Sequence, residues 1–142
     1  MDVRIIRHDS VDYKKMIALR LQVLLQPIGV PASYINQEKE KQDILIGAFE
    51  DDTIVGCCIL TPISKSVIQL RQMAVHAELQ NKGIGRKIIA FAENTSRETG
   101  FDILIMHARN PVIEFYKKCG YTIAGEEFFE VGIAHHKMQK QL

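Results

Sequence analysis

The chain has 142 residues, 46% of them hydrophobic and 25% charged, with a formal net charge of +1. That length suggests a single domain, residues 1–142, with a sizeable core, and near-neutrality argues against a general attraction to nucleic acid or an anionic membrane. No apolar run approaches a membrane span, residues 1–8 lack a signal-peptide core, and Cys57, Cys58 and Cys119 show no metal-type spacing, so a reduced, cytoplasmic protein is expected.

Residues 3–6 predict a first strand. Ser10 is placed to cap a helix over residues 11–25, where Met16, Ile17, Arg20, Leu21 and Leu24 share a face. Arg20 on that face reads first as a snorkelling side chain at the rim of the core. The alternative is a polar group aimed into a cleft. Pro27, Gly29 and Pro31 begin a loop, and the polar residues 36–42 fit a short solvated helix.

Three strands then predict an antiparallel meander over residues 44–49, 53–60 and 67–75, with Pro62 ending the second. Adjacent Cys57 and Cys58 would face opposite sides of the middle strand. In the third strand Ile68 and Leu70 occupy one phase, while Met73 and Val75 occupy the other. A one-residue slip near Arg71-Gln72 is what a β-bulge repairs, and bulges gather beside active sites. Burial of both faces would account for the pattern equally well.

After Val75 a short polar link leads to Gly83 and Gly85, which open a long amphipathic helix. A helix N-terminus offers unpaired N–H groups and the positive end of the dipole, and glycine lets an anion approach them. Arg86 and Lys87 in that first turn oppose the dipole by roughly 0.3–1 kcal/mol each, an arrangement that an anionic ligand would offset. Ile84, Ile88, Phe91 and Thr95 mark the buried face, and Gly100 followed by Phe101 marks the end. Residues 103–106 are continuously apolar, so a buried central strand is expected, joined to the earlier one by a right-handed parallel crossover. Asn110 is placed to cap a second helix with Pro111 at its first position. Val112, Phe115, Tyr116 and Cys119 share its apolar face, and Gly120 ends it. A short strand over residues 121–124, a polar excursion over 125–131 and a final strand over 133–139 complete the chain. The whole predicts an α/β class with one mixed sheet and helices on its faces.

Two motifs carry a resemblance. Gln80-Asn81-Lys82-Gly83-Ile84-Gly85 fits Q/R-x-x-G-x-G/A between a strand and a helix. Asn110 followed by Phe115-Tyr116-Lys117-Lys118-Cys119-Gly120-Tyr121 fits an Asn and then F-Y-x-x-x-G-F/Y. Together they resemble the GNAT superfamily of N-acetyltransferases, and the order of elements matches over essentially the whole chain. The ending over residues 127–138 is similar to that of the ElaA-like subgroup, with Ala134 where that subgroup carries proline.

The resemblance implies a mixed, mostly antiparallel sheet and transfer of an acetyl group from acetyl-CoA to a primary amine. Attack would be direct, in a ternary complex, without a metal, and a homodimer is compatible with the family. The pyrophosphate would rest on N–H groups of residues 82–87, in the loop that also holds Gln80 and Asn81. The pantetheine arm would lie between the strands over 67–75 and 103–108, which splay in this family. There the backbones of Met73 and Val75, with Ala74 between them, would bond its amides. An N–H near Met73 would polarise the thioester carbonyl.

Tyr116 matches the family's general acid, although helical spacing alone would make it a core residue. Asn110 matches a residue that contacts the cofactor. The glutamate that serves some relatives as base aligns near Gln69, which cannot take a proton. Glu78, His107, Glu127, Glu130, His135 and His136 are the other candidates. His135 is favoured because it matches the histidine of the subgroup ending, and a water relay to bulk is the alternative. A P-loop is excluded because no G-x-x-x-x-G-K-S/T occurs, and a dinucleotide fingerprint because no third glycine follows Gly85. The rival to an enzyme is a non-catalytic, acyl-CoA-binding regulatory module, which would need no Tyr116.

Overall fold

In the computed structural model, which describes residues 1–142, strand β1 (Asp2–Ile6) leads into helix α1 (Val11–Arg20). Ser10 is the expected cap: its backbone is extended and its hydroxyl accepts the Tyr13 N–H at 3.2 Å. The helix continues as a π turn over Leu21–Leu25, reaching the expected end.

Residues 36–42 are solvated as expected except at one position: the 3-10 turn Lys39–Gln42 buries Glu40 to 4% exposure. Its partner is Arg20, at 1% exposure. Arg20 therefore neither snorkels nor ends free in a cleft. Its fork donates to both carboxylate oxygens of Glu40 at 2.8 Å, and the Tyr13 hydroxyl donates to the same carboxylate at 2.6 Å. Burying either charge alone would be unfavourable by several kcal/mol, so the pair enters the core together.

Strands β2 (Ile44–Glu50), β3 (Thr53–Pro62) and β4 (Val67–Val75) form the expected antiparallel meander, with β1 added beside β2. Helix α2 (Ile84–Glu98) crosses from β4 to the parallel strand β5 (Ile103–Arg109). The helix stops as expected: Gly100 has φ 94° and the Phe101 N–H donates to the Ser96 carbonyl at 3.0 Å. Helix α3 (Ile113–Lys118), β6 (Thr122–Ile123), β7 (Phe128–Glu130) and β8 (Ile133–Gln141) follow. The sheet order is β1-β2-β3-β4-β5-β8-β6, with β7 also on β8, and β4–β5 is its one parallel pair. β5 outruns the expected 103–106 because β8 pairs with it as far as Arg109.

Two more expectations fail here. Asn110 does not cap α3. A 3-10 turn over Asn110–Val112 intervenes, and the Asn110 amide donates to Glu127 at 2.8 Å while accepting from His136 Nδ1 at 2.9 Å. The excursion over 125–131 contains β7, joined to β8 by Val131 at φ 45° and Gly132 at φ 75°. Two consecutive left-handed residues are the type I′ hairpin geometry, in which a β-branched residue is rare.

The sheet separates two apolar clusters. One packs Leu60, Ile68, Leu104 and Met106 against Ile88 and Ala92 of α2. The other packs Ile6, Leu45, Phe49 and Ile59 against Met16 and Leu19 of α1. Cys57 and Cys58 enter opposite clusters, as expected.

Candidate active site

The site begins at an irregularity in β4. Cys57 pairs with Ala74, yet Ile59 pairs with Arg71, so Gln72 and Met73 together oppose Cys58. This is the bulge anticipated from the phase slip. It places Leu70, Met73 and Val75 against one cluster and Ala74 in the other. Gln72 holds the turn at φ 55°. Its side chain accepts from Arg20 Nε at 3.4 Å, so the buried ion pair also fastens the bulge.

Pairing between β4 and β5 ends at Leu70 and Met106. Beyond those residues the strands part around a cleft of about 950 Å³, at the upper end of the usual range for small-molecule sites. The His76 N–H donates to Val55 on β3 at 2.9 Å. Alternation along an antiparallel ladder then turns the backbone of Val75 away from β3, towards the cleft. Gln80 Nε2 donates to the Val75 carbonyl at 3.1 Å and ties the next loop to the strand.

That loop enters α2 through Asn81 at φ 65° and Gly83 at φ 84°. The Lys87 N–H donates to the Gly83 carbonyl at 3.2 Å, which leaves the N–H groups of Ile84, Gly85 and Arg86 without a backbone partner. The two glycines serve different needs. Gly83 supplies the left-handed turn, and its missing side chain would meet nothing. A Cβ on Gly85 would stand 3.1 Å from the Phe115 ring, so Gly85 lets α3 lie against the start of α2.

Tyr116 sits at the root of the cleft. Its ring is 5% exposed and meets Phe115 and Tyr121 edge-on, with centroids at 5.1 and 6.1 Å. Its hydroxyl has no partner within the protein, and no sealed polar atom lacks one, so it opens to the cleft. Burial, with smaller contributions from Cys58 and Cys119, raises its pKa. It stays a neutral hydrogen-bond donor at ordinary pH.

Two histidines occupy the opposite face of the sheet. His135 Nδ1 lies 2.7 Å from the Ile133 carbonyl, which can only accept. Nδ1 therefore donates, and Nε2 is the ring nitrogen left to face another group. The ring stacks on Phe128 at 5.7 Å. His107 donates in the same way from Nδ1 to Glu130 at 2.7 Å and meets Phe128 edge-on. His107 and Arg109 alternate along β5 with Met106 and Ala108, which pack in the cluster that holds Tyr116.

The GNAT acetyltransferase domain matches residues 18–142. This chain is a GNAT acetyltransferase. YjcF, an uncharacterized N-acetyltransferase of Bacillus subtilis, is 26% identical over 137 residues, 96% of this chain and 97% of that one. Some other relatives align over only about half of their own length. The Escherichia coli ElaA structure superposes with a TM-score of 0.85 at 17% identity over 99% of both chains. A GNAT acetyltransferase of Elizabethkingia anophelis with acetyl-CoA bound gives 0.77 at 19% identity, over 99% of this chain and 97% of that one. At such identities the structures share a fold. The family match makes the chain an acyltransferase.

The GNAT cleft gathers most of the residues singled out in the sequence. Met73, Ala74, Val75 and Tyr116 line it, as do residues 80–86 apart from Lys82. Lys82 and Lys87 do not line it, and the Lys87 N–H is already bonded. Asn110 stands outside it too, its amide held by Glu127 and His136. Of the candidate bases, His107, Glu130 and His135 line the cleft, while Glu78, Glu127 and His136 do not. Lining residues to which the sequence assigned no role include Tyr34, Arg109 and Lys118. Arg109 had one signal, its place two residues beyond His107 at the end of a buried strand.

Proposed function

We propose that this GNAT acetyltransferase moves the acetyl group of acetyl-CoA onto a primary amine by direct attack in a ternary complex. One observation carries the reading. The free N–H groups at the start of α2, the parted strands and the Tyr116 hydroxyl all open onto one cleft.

In this reading the pyrophosphate rests on the N–H groups of Ile84, Gly85 and Arg86, with the Arg86 guanidinium beside it. The pantetheine arm follows Met73, Ala74 and Val75 like an added strand, and an N–H at Met73 polarises the thioester carbonyl. The amine enters from the other face of the sheet. His135 Nε2 takes its proton while the new C–N bond forms and the C–S bond breaks. The departing sulfur receives the Tyr116 proton, and solvent returns both groups to their starting states. No step calls for a metal.

A thiol-release assay with acetyl-CoA over a panel of primary amines tests the proposal. Amine-dependent release that falls in Tyr116→Phe is the expected result. Tight acetyl-CoA binding with no release for any amine would overturn it in favour of a regulatory module.

A further inference from the structure

The arginines of this chain divide into two groups. Arg4 pairs with Asp2 and Asp12, Arg7 with Asp9, Arg20 with Glu40, Arg71 with Asp43 and Arg97 with Glu93. Arg86 and Arg109 have no carboxylate within bridging distance, and both line the cleft. Arg86 stands at the end where an acyl-CoA's phosphates belong in the reading above. Arg109 is the last residue of β5.

Arg109 leaves β5 on the face that carries His107 and His135, with His135 directly opposite it on β8. Its one hydrogen bond runs from Nη2 to the Leu24 carbonyl, at the π turn, over a long 3.4 Å. A guanidinium has five N–H donors. No sealed polar atom in the protein is unpartnered, so the remaining donors are open to solvent on a side chain that lines the cleft. Leu24, Val23 and Ile28 give that side an apolar wall. Glu130 is the one carboxylate lining the cleft, and His107 already engages it.

We propose that the acceptor is an amine bearing a carboxylate, held by the Arg109 fork. The inference rests on the acetyltransfer reading and narrows it. The planar fork matches a carboxylate in two parallel bonds, as Arg20 does with Glu40 in the core. The carboxylate end lies beside His135, the group that would take the amine's proton. The apolar wall accommodates a hydrocarbon side chain between them.

The test compares phenylalanine with phenethylamine and phenylalaninamide in the thiol-release assay, together with calorimetric titration of acetyl-CoA. The carboxylated amine should show a kcat/KM about tenfold or more above the other two, the scale of a charged hydrogen-bonded pair. In Arg109→Gln that ratio should collapse towards one, while Arg109→Lys should keep part of it. Affinity for acetyl-CoA should stay as in the unaltered protein. Equal turnover of all three amines by the unaltered protein would overturn the inference and leave acetyltransfer standing. Acetyl-CoA binding without release for any amine would overturn both. A ratio that survives in a folded Arg109→Gln protein would remove Arg109 from acceptor recognition.

Discussion

Arg20 and Glu40 meet fork to fork, with two 2.8 Å bonds, beneath the bulge that shapes the cleft. The same guanidinium reaches the Gln72 side chain, so a buried ion pair helps set the path of β4. Removing one partner leaves the other charged and buried, which typically costs about 3–5 kcal/mol. Glu40→Ala should therefore lose stability on that scale in urea unfolding. Arg20→Met with Glu40→Leu should recover much of the loss. Recovery of stability without recovery of activity would show that Arg20 also positions the bulge.

The pH dependence follows from the same pair. Burial acts to raise the Glu40 pKa, but the Arg20 fork and the Tyr13 hydroxyl outweigh it, and the net shift is downward. A carboxylate with a lowered folded-state value stabilises the protein above its unfolded value of about 4.3. That stabilisation is lost as pH falls through the folded value. Unfolding free energy should thus drop as pH falls below about 4. Glu40→Gln should flatten this part of the curve, and an unchanged slope would exclude Glu40 as its source.

Tyr116→Phe removes the hydroxyl but keeps the ring that packs between Phe115 and Tyr121. Turnover should fall by about a hundredfold or more, the usual contribution of a positioned acid. Acetyl-CoA affinity and thermal stability should change little. Because burial raises the Tyr116 pKa, loss of its proton should not limit the rate anywhere below about pH 10.

The two glycines should separate by mutation. Gly83→Ala forces a side chain into a left-handed backbone, at a cost on the order of 1–2 kcal/mol, with no steric contact to relieve. Gly85→Val drives branched carbons into the Phe115 ring. The second change should move α3 and Tyr116, lowering kcat as well as acetyl-CoA affinity. Adding Phe115→Leu to Gly85→Val should restore part of kcat, measured with saturating acetyl-CoA.

What could be seen in the sequence was local and periodic. The phase slip in β4 revealed the bulge because a strand has only two faces to fill. Gly100 and Gly120 announced helix ends because few other residues adopt their backbone. What was hidden depended on distant partners or on a broken local rule. Glu40 sits in a polar run, and nothing nearby tells that it is buried with Arg20, twenty residues earlier. Val131 occupies a hairpin position that sequence reserves for Asn or Gly, so β7 read as a loop. Asn110 has a cap residue's chemistry, yet Glu127 and His136 take its amide first. Arg109 stands out only against distant pairings: every other arginine except Arg86 has a carboxylate partner.

In the proposed reaction the cleft between β4 and β5 brings a thioester under Tyr116 for attack by an amine. Single-turnover thiol release, with the protein preloaded with acetyl-CoA and then mixed with amine, tests it most directly. The release rate should rise with amine concentration and fall about a hundredfold or more in Tyr116→Phe, while His135→Gln should slow it with acetyl-CoA binding intact. Release that is independent of amine, or undiminished in Tyr116→Phe, would contradict it.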